Sequence, residues 1–278
     1  MMSAEVRPGG AINYDPCRYG RSQLLFRGPK RQAEGRYVAV IGGSETYGRF
    51  MEEPYPAMLE RFLGLPVVNL GSPHAEAEAF MRDETVLGIC TKAVVTVVQL
   101  GGAAGLCNPY FRVHPRRNDR VVQIGDALRA LYPEIDFTDH HFIRHLLGDM
   151  ARHDRARFAS VVQAMRGAWV ARMRGLLGRL GGAAVLLWLS RHGPEDAATE
   201  EVEAADPLLV NREMLAQLGG LHAGVVEITA SREEVEAGLA RMLCSPLEQF
   251  MAARMLGPVI HERAARELAE ILQGVIRN

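Results

Sequence analysis

The stretch that decides the fold is Tyr37 to Phe50, YVAVIGGSETYGRF. An apolar run ends in Gly42, Gly43 and Ser44, and helix-forming residues with a further glycine, Gly48, follow at once. This order reads as a buried strand, a tight turn and the start of a helix. Such a turn lifts one hydroxyl, that of Ser44, above the end of a sheet, where it suits a nucleophile, or where the turn amides suit an anion. As a plain N-cap, the same serine would only satisfy the amides of its own helix.

Working outward, four more short apolar runs have the character of buried parallel strands: Pro66 to Leu70, Ala93 to Leu100, Ala183 to Leu189 and Gly224 to Ile228. Between and after them, apolar residues at three- and four-residue spacing predict helices over Pro54 to Leu63, Ala75 to Cys90, Arg155 to Leu180, Pro207 to Leu218, Ser231 to Leu243 and Pro258 to Ile276. Ser231 with Glu234 forms a capping box that starts the fifth of these. Alternating strand and helix predicts an α/β fold, a flavodoxin-like three-layer sandwich around a five-stranded parallel sheet. Residues 1–36 read as an extended N-terminal segment and 37–278 as the α/β domain. Residues 101–154 interrupt its rhythm as an inserted loop and helical region after the third strand, at the edge where ligands of such sheets bind. The acidic run Gly193 to Asp206 reads as a solvated loop or a lid.

Composition narrows the function classes. A formal net charge of −1 over 278 residues offers no general attraction to nucleic acid or an anionic membrane. Cys17, Cys90, Cys107 and Cys244 form no CxxC pair, so neither a zinc ribbon nor a disulfide framework is implied, and reduced thiols in a cytoplasm are expected. No segment reaches the roughly 20 apolar residues of a membrane span. The spacing of Gly42, Gly43 and Gly48 does not make the GxGxxG fingerprint, and no GK[ST] follows, so a dinucleotide or P-loop cofactor is not implied. No cofactor and no metal are expected: His141 and His145 share a helical spacing, but no third ligand accompanies them.

Three further blocks accompany the Ser44 turn. The second strand ends in VVNLGSP with Gly71, the third runs into QLGGAAGLCNPY with Asn108, and MLGPVIHERAARELAEIL carries His261 at the start of the last helix. The set resembles the SGNH hydrolases, also called the GDSL family of esterases and lipases. That resemblance implies Ser44 as nucleophile and His261 as general base. It also implies an oxyanion hole made by the Ser44 amide, Gly71 and Asn108. A hydroxyl attacks a carbonyl when an imidazole takes its proton and amide donors hold the oxyanion that forms. Two blocks depart from the family pattern. Pro258 stands where the family has an aspartate three residues before the histidine, and Ala103 and Ala104 replace the asparagine and aspartate of GxND. Glu45, Glu262 and Asp196 are the acids available to orient His261 instead. The blocks GSETYG, HPRRNDR and FTDHHFIRHLL are also similar to those of an uncharacterised bacterial family.

Arg112, His114, Arg116 and Arg117 crowd the sequence RVHPRRND beside the sheet's ligand edge. Guanidinium forks bind carboxylate, sulfate or phosphate bidentately, so this loop is the candidate for recognising an anionic substrate. The expected function is therefore a serine hydrolase or acyltransferase acting on an ester or thioester, of an anionic molecule if the arginine loop reads an anion and is not simply solvated or salt-bridged. The alternatives are a non-hydrolytic protein binding an anion at the same edge, and a group transferase such as a sulfotransferase.

Overall fold

The computed structural model describes residues 12–181, 183–196 and 201–277. In chain order, β1 (Val38–Gly42), α1 (Ser44–Tyr47), α2 (Tyr55–Leu63), β2 (Val67–Gly71), α3 (Ala77–Met81), α4 (Glu84–Cys90) and β3 (Val95–Gln99) form the first half. The inserted region holds β4 (Phe111–Val113), β5 (Val121–Ile124), α5 (Asp126–Leu131) and α6 (Ile143–His153). The second half comprises α7 (Arg155–Leu180), β6 (Ala184–Ser190), α8 (Arg212–Ala216), β7 (Gly224–Thr229), α9 (Arg232–Leu239), α10 (Gln249–Ala252) and α11 (Pro258–Arg277).

The five long strands are parallel in the order β2-β1-β3-β6-β7, and β4 pairs with β5 in a separate antiparallel hairpin. Strand alternation divides the core. Val38 and Val40 face a cluster with α2 and α11, while Ala39 and Ile41 face one built largely on α4, α6 and α7. Both faces are thus covered by helices, giving the expected three-layer sandwich. The strand order reverses at β1, so its carboxyl end, with those of its neighbours β2 and β3, opens the crevice where such sheets bind ligands.

Three predicted helices are shorter in the structure, two of them for a local reason. Asp83 interrupts the run from Ala75 to Cys90: its Oδ1 accepts the amides of Thr85 and Val86, both at 3.1 Å, and so starts α4 afresh after α3. The predicted Pro207 to Leu218 helix begins only after Asn211, whose side chain caps the Met214 amide at 3.1 Å, because Leu209 adopts a left-handed backbone with φ of 61°. The predicted Ser231 to Leu243 helix stops at Leu239, although its capping box is present.

Residues 1–11 of the predicted N-terminal segment and 197–200 of the acidic run lie outside the described residues. From Ile12 onward the segment is an arm in which an antiparallel bridge joins Cys17 and Phe26. It is tied to the domain by Arg27, which is buried and donates to the carbonyls of Gly48 (2.6 Å), Met51 (2.7 Å) and Glu52 (2.7 Å). The end of the acidic run docks on α6, where Arg144 reaches the Ala204 carbonyl at 2.7 Å and the Asp206 carboxylate at 3.1 Å.

Candidate active site

The Ser44 turn is held rigidly from below. Gln99 Oε1, at the end of β3, accepts both the Thr46 amide (3.1 Å) and the Thr46 hydroxyl (2.5 Å), which also meets the Tyr55 hydroxyl at 2.7 Å. Asn69 on β2 donates to the Thr46 carbonyl at 2.9 Å. Gly42 and Gly71 pair across β1 and β2, and a Cβ on either would overlap atoms of Thr46 or Tyr47, so both glycines are required by close approach. The N-cap of α1 is Gly43; Ser44 is the first residue of the helix. Among the described residues its half-buried hydroxyl has no partner, so the capping role is unfilled and the oxygen is free to react. Its amide, in the first turn, has no intrahelical acceptor.

His261 is not the partner of this serine. It lies in the first turn of α11, fully buried, with Nδ1 accepting the Tyr55 amide at 3.1 Å and Nε2 lying 3.2 Å from Glu45 Oε2. An imidazole whose Nδ1 lone pair is taken by an N–H carries its proton on Nε2, which it here donates to the carboxylate. No lone pair remains to take a proton from Ser44. Glu45 is thus the acid that meets His261, but the pair forms a buried brace, with Glu45 Oε1 also accepting the Leu256 amide at 3.0 Å.

The other residues expected at the site are also placed differently. The Gly71 amide already donates to Asn69 Oδ1 at 2.9 Å. Asn108 closes its own loop, accepting the amides of Tyr110 (2.9 Å) and Phe111 (3.2 Å) and donating to the Leu106 carbonyl (3.1 Å). The Gly71 amide is thus already committed, and Asn108 is held to its own loop. His114 Nδ1 accepts the amides of Arg116 and Arg117 at 3.3 and 3.1 Å, which makes it a turn-former. Arg112 and Arg116 are exposed, and Arg117 Nε lies 4.0 Å from Asp119. His140 Nε2 meets Asp149 at 3.1 Å and its ring stacks on His145 at 4.7 Å, while His141 is exposed.

What the arginine-rich loop does bring to the sheet edge is its next two residues. Asn118 is buried and clamps the segment after β2: its amide donates to the His74 carbonyl (2.9 Å), its Oδ1 accepts the Glu76 amide (2.7 Å), and its Nδ2 donates to the His114 carbonyl (3.0 Å). Asp119 Oδ2 then lies 3.7 Å from His74 Nδ1, with both side chains partly exposed. Asp119 Oδ1 is buried and makes no hydrogen bond among the described residues. His74 holds a left-handed backbone, φ of 61°, a conformation that costs a non-glycine residue about 1–2 kcal/mol. Strain of this kind concentrates at functional sites. Burial lowers the His74 pKa from its ordinary value, with Asp119 opposing and Arg117 and Arg49 reinforcing the shift, so the ring is neutral near pH 7. Its Nε2 has no protein partner among the described residues.

This segment adjoins the Ser44 turn. The Ser72 amide donates to the Gly42 carbonyl at 3.0 Å, and a Cβ on Gly43 would lie 3.6 Å from the Ala75 carbonyl oxygen. Two residues beyond His74, Glu76 packs so closely over Gly101 that a Cβ there would overlap its carboxyl, and the Gly102 amide donates to Glu76 Oε1 at 3.4 Å. Burial, reinforced by the nearby Asp206 carboxylate, raises the Glu76 pKa well above the ordinary carboxyl value. Adjoining segments at the ends of β1 and β2 therefore carry a serine hydroxyl with no partner among the described residues, a histidine whose charged form is disfavoured, with an aspartate 3.7 Å away, and a carboxyl biased towards its protonated form. His74 and Asp119 went unnoticed in the sequence because a lone histidine after a strand and an aspartate inside an arginine cluster carry no spacing signal.

The family described as "Domain of unknown function (DUF6473)" matches residues 2–276. No curated protein matches the sequence. Among solved structures, the chain is similar to the lipase Lip_vut3 from a goat rumen metagenome, at 14% identity and a TM-score of 0.42, over 85% of this chain and 96% of that one. It is also similar to a carbohydrate esterase family 2 enzyme with a carbohydrate-binding domain from Corynascus thermopiles (Myceliophthora fergusii), at 11% identity and a TM-score of 0.45, over 91% of this chain and 73% of that one.

Proposed function

The chain belongs to the DUF6473 family, and we propose that it is a serine hydrolase or acyltransferase acting on an ester or thioester, with Ser44 as nucleophile and His74, backed by Asp119, as general base. The observation that carries this reading is that the segment holding His74, in a strained backbone with the Asp119 carboxylate 3.7 Å from its ring, adjoins the turn that carries the Ser44 hydroxyl, which has no partner among the described residues. In the acylation step Ser44 Oγ attacks the carbonyl carbon while His74 Nε2 takes its proton, and the proton passes on to the leaving alcohol or thiol. Asp119 faces Nδ1–H, fixes that tautomer and favours the imidazolium that forms. The Ser44 amide is directed at the developing oxyanion. Water, or an acceptor hydroxyl in the transferase case, then releases the acyl group by the same proton path in reverse.

On this reading the partner is a small acyl-bearing molecule and no metal takes part. No helix among the described residues is long and apolar enough to cross a membrane. The test is labelling by a fluorophosphonate probe with mass spectrometry of the modified peptide. The adduct is expected on Ser44, absent in Ser44→Ala and strongly slowed in His74→Ala. A folded protein that never labels, and turns over no activated ester, would overturn the proposal.

A further inference from the structure

One half-buried cation has no counterpart in the chemistry above. Arg191 immediately follows β6, at the same ligand edge of the sheet as Ser44. One end of its guanidinium is fixed to the protein, donating to the carbonyls of Ala253 (2.5 Å) and Met255 (3.3 Å). Its Nε is buried and finds no acceptor among the described residues. A buried charged donor left without an acceptor is costly, and native structures rarely keep one without a purpose. Arg191 lines a cleft of about 360 Å³ together with Arg232, Glu236 and the apolar Ala230, Val235 and Leu239. Glu236 is already paired with Arg232 at 2.8 Å, so it does not neutralise Arg191. The volume is that of a small-molecule site.

We propose that this cleft is a subsite for an oxyanion group, a carboxylate or a phosphate, recognised by Arg191 with Arg232 at its mouth. The fixed fork is pre-organised, which removes most of the side-chain entropy that binding would otherwise cost. An incoming anion would meet Nη1, the end of the fork that no acceptor among the described residues holds, through a charge-assisted bond. The subsite also communicates with the nucleophile turn through a short chain of contacts: Arg191 holds the Met255 carbonyl, the next residue, Leu256, donates to Glu45 at 3.0 Å, and Glu45 is bonded to Ser44 in sequence. Binding itself is independent of the chemistry at Ser44. That the bound group is the acid end of the acyl substrate rests on the hydrolase reading.

The experiment uses the whole chain, with inorganic phosphate and succinate as probes and dimethyl succinate as the uncharged control, read by thermal shift and calorimetry at constant ionic strength. One or both anions are expected to raise the Tm of the wild type and of Ser44→Ala alike, with no effect of the diester. Arg191→Lys keeps the charge but lacks the fork, and Arg191→Gln removes the charge; each is expected to weaken binding by at least about tenfold, and Arg232→Gln by less. Phosphate acting alone assigns the subsite to a phosphate-bearing ligand, and succinate alone to a carboxylate. No shift with either anion at tens of millimolar, or an equal affinity in a folded Arg191→Lys protein, would overturn the proposal. If Arg191→Gln fails to fold, the lysine variant decides. Anion binding that survives in a protein with no probe labelling leaves the subsite standing and removes only the hydrolase reading.

Discussion

His261 Nε2 lies 3.2 Å from Glu45 Oε2 inside a fully buried environment, and the Tyr55 amide occupies the other ring nitrogen. His261 is thereby a brace joining α11, α1 and α2. Removing its ring would leave a cavity and an unpaired, largely buried carboxylate. His261→Ala is expected to lose about 3–5 kcal/mol of stability, measured by urea unfolding. Fluorophosphonate labelling of the folded fraction should change little. Normal stability with labelling abolished would instead return His261 to the role of base.

The second prediction concerns the base itself. On the proposed mechanism the neutral form of His74 is the reactive one, and burial lowers its pKa, so the acid limb of the labelling rate should lie below the ordinary histidine value of about 6.5. The rate then rises with pH and is already level near neutrality. Asp119→Asn removes the charge that raises the His74 pKa, so the limb should move further to the acid side while the plateau falls. His74→Ala should slow labelling by about a hundred- to ten-thousandfold. An unchanged pH profile in Asp119→Asn would separate the two residues.

The sheet was legible because buried parallel strands are short, apolar and bounded by glycine, and each of the five apolar runs from Tyr37 to Ile228 became one. Helix lengths were less so: Asp83 and Asn211 end one pattern and begin another through side-chain caps that apolar spacing does not register. At the site, the Ser44 turn could be read from its glycines, since close approach of Gly42 and Gly71 to α1 is a backbone requirement. The His74–Asp119 pair could not. It depends on Asn118 folding a distant loop back onto the segment after β2, and contacts between residues 45 positions apart leave no periodicity behind.

Glu76 supplies a third prediction, in stability against pH. Its folded pKa is raised well above the value near 4.3 of an unfolded glutamate, so between those two values the folded protein holds a proton that the unfolded chain has released. Stability therefore falls as pH rises from about 4.3 through the raised pKa. Glu76→Gln keeps the shape and the acceptor for Gly102 but cannot ionise. The variant should gain stability relative to wild type at neutral and higher pH, with the two curves converging near pH 4. Parallel denaturant melts from pH 4 to 8 measure the difference, and curves that stay parallel across the window would place the carboxyl in a wetter setting.

Arg27 shows how the N-terminal arm reaches the Ser44 turn. Its guanidinium is 7% exposed and bridges three carbonyls, those of Gly48, Met51 and Glu52, while lying 5.3 Å from the centre of the Tyr14 ring. The Tyr14 hydroxyl in turn accepts the Phe50 amide at 2.9 Å. Burial lowers the Arg27 pKa, yet three carbonyl acceptors compensate the charge, an arrangement that a lysine's single ammonium cannot reproduce because it lacks the planar fork. Arg27→Met would fill the apolar space but leave the three carbonyls without their donor, at a cost of about 2–4 kcal/mol. The loss should be local as well as global. Amide exchange is expected to quicken across residues 48–52, directly after α1, and Ser44 labelling to slow by a few fold because the turn no longer holds the hydroxyl in one place. Arg27→Lys should fall between the two. If Arg27→Met slows labelling without faster exchange at 48–52, the arm acts on the substrate directly and not through the turn.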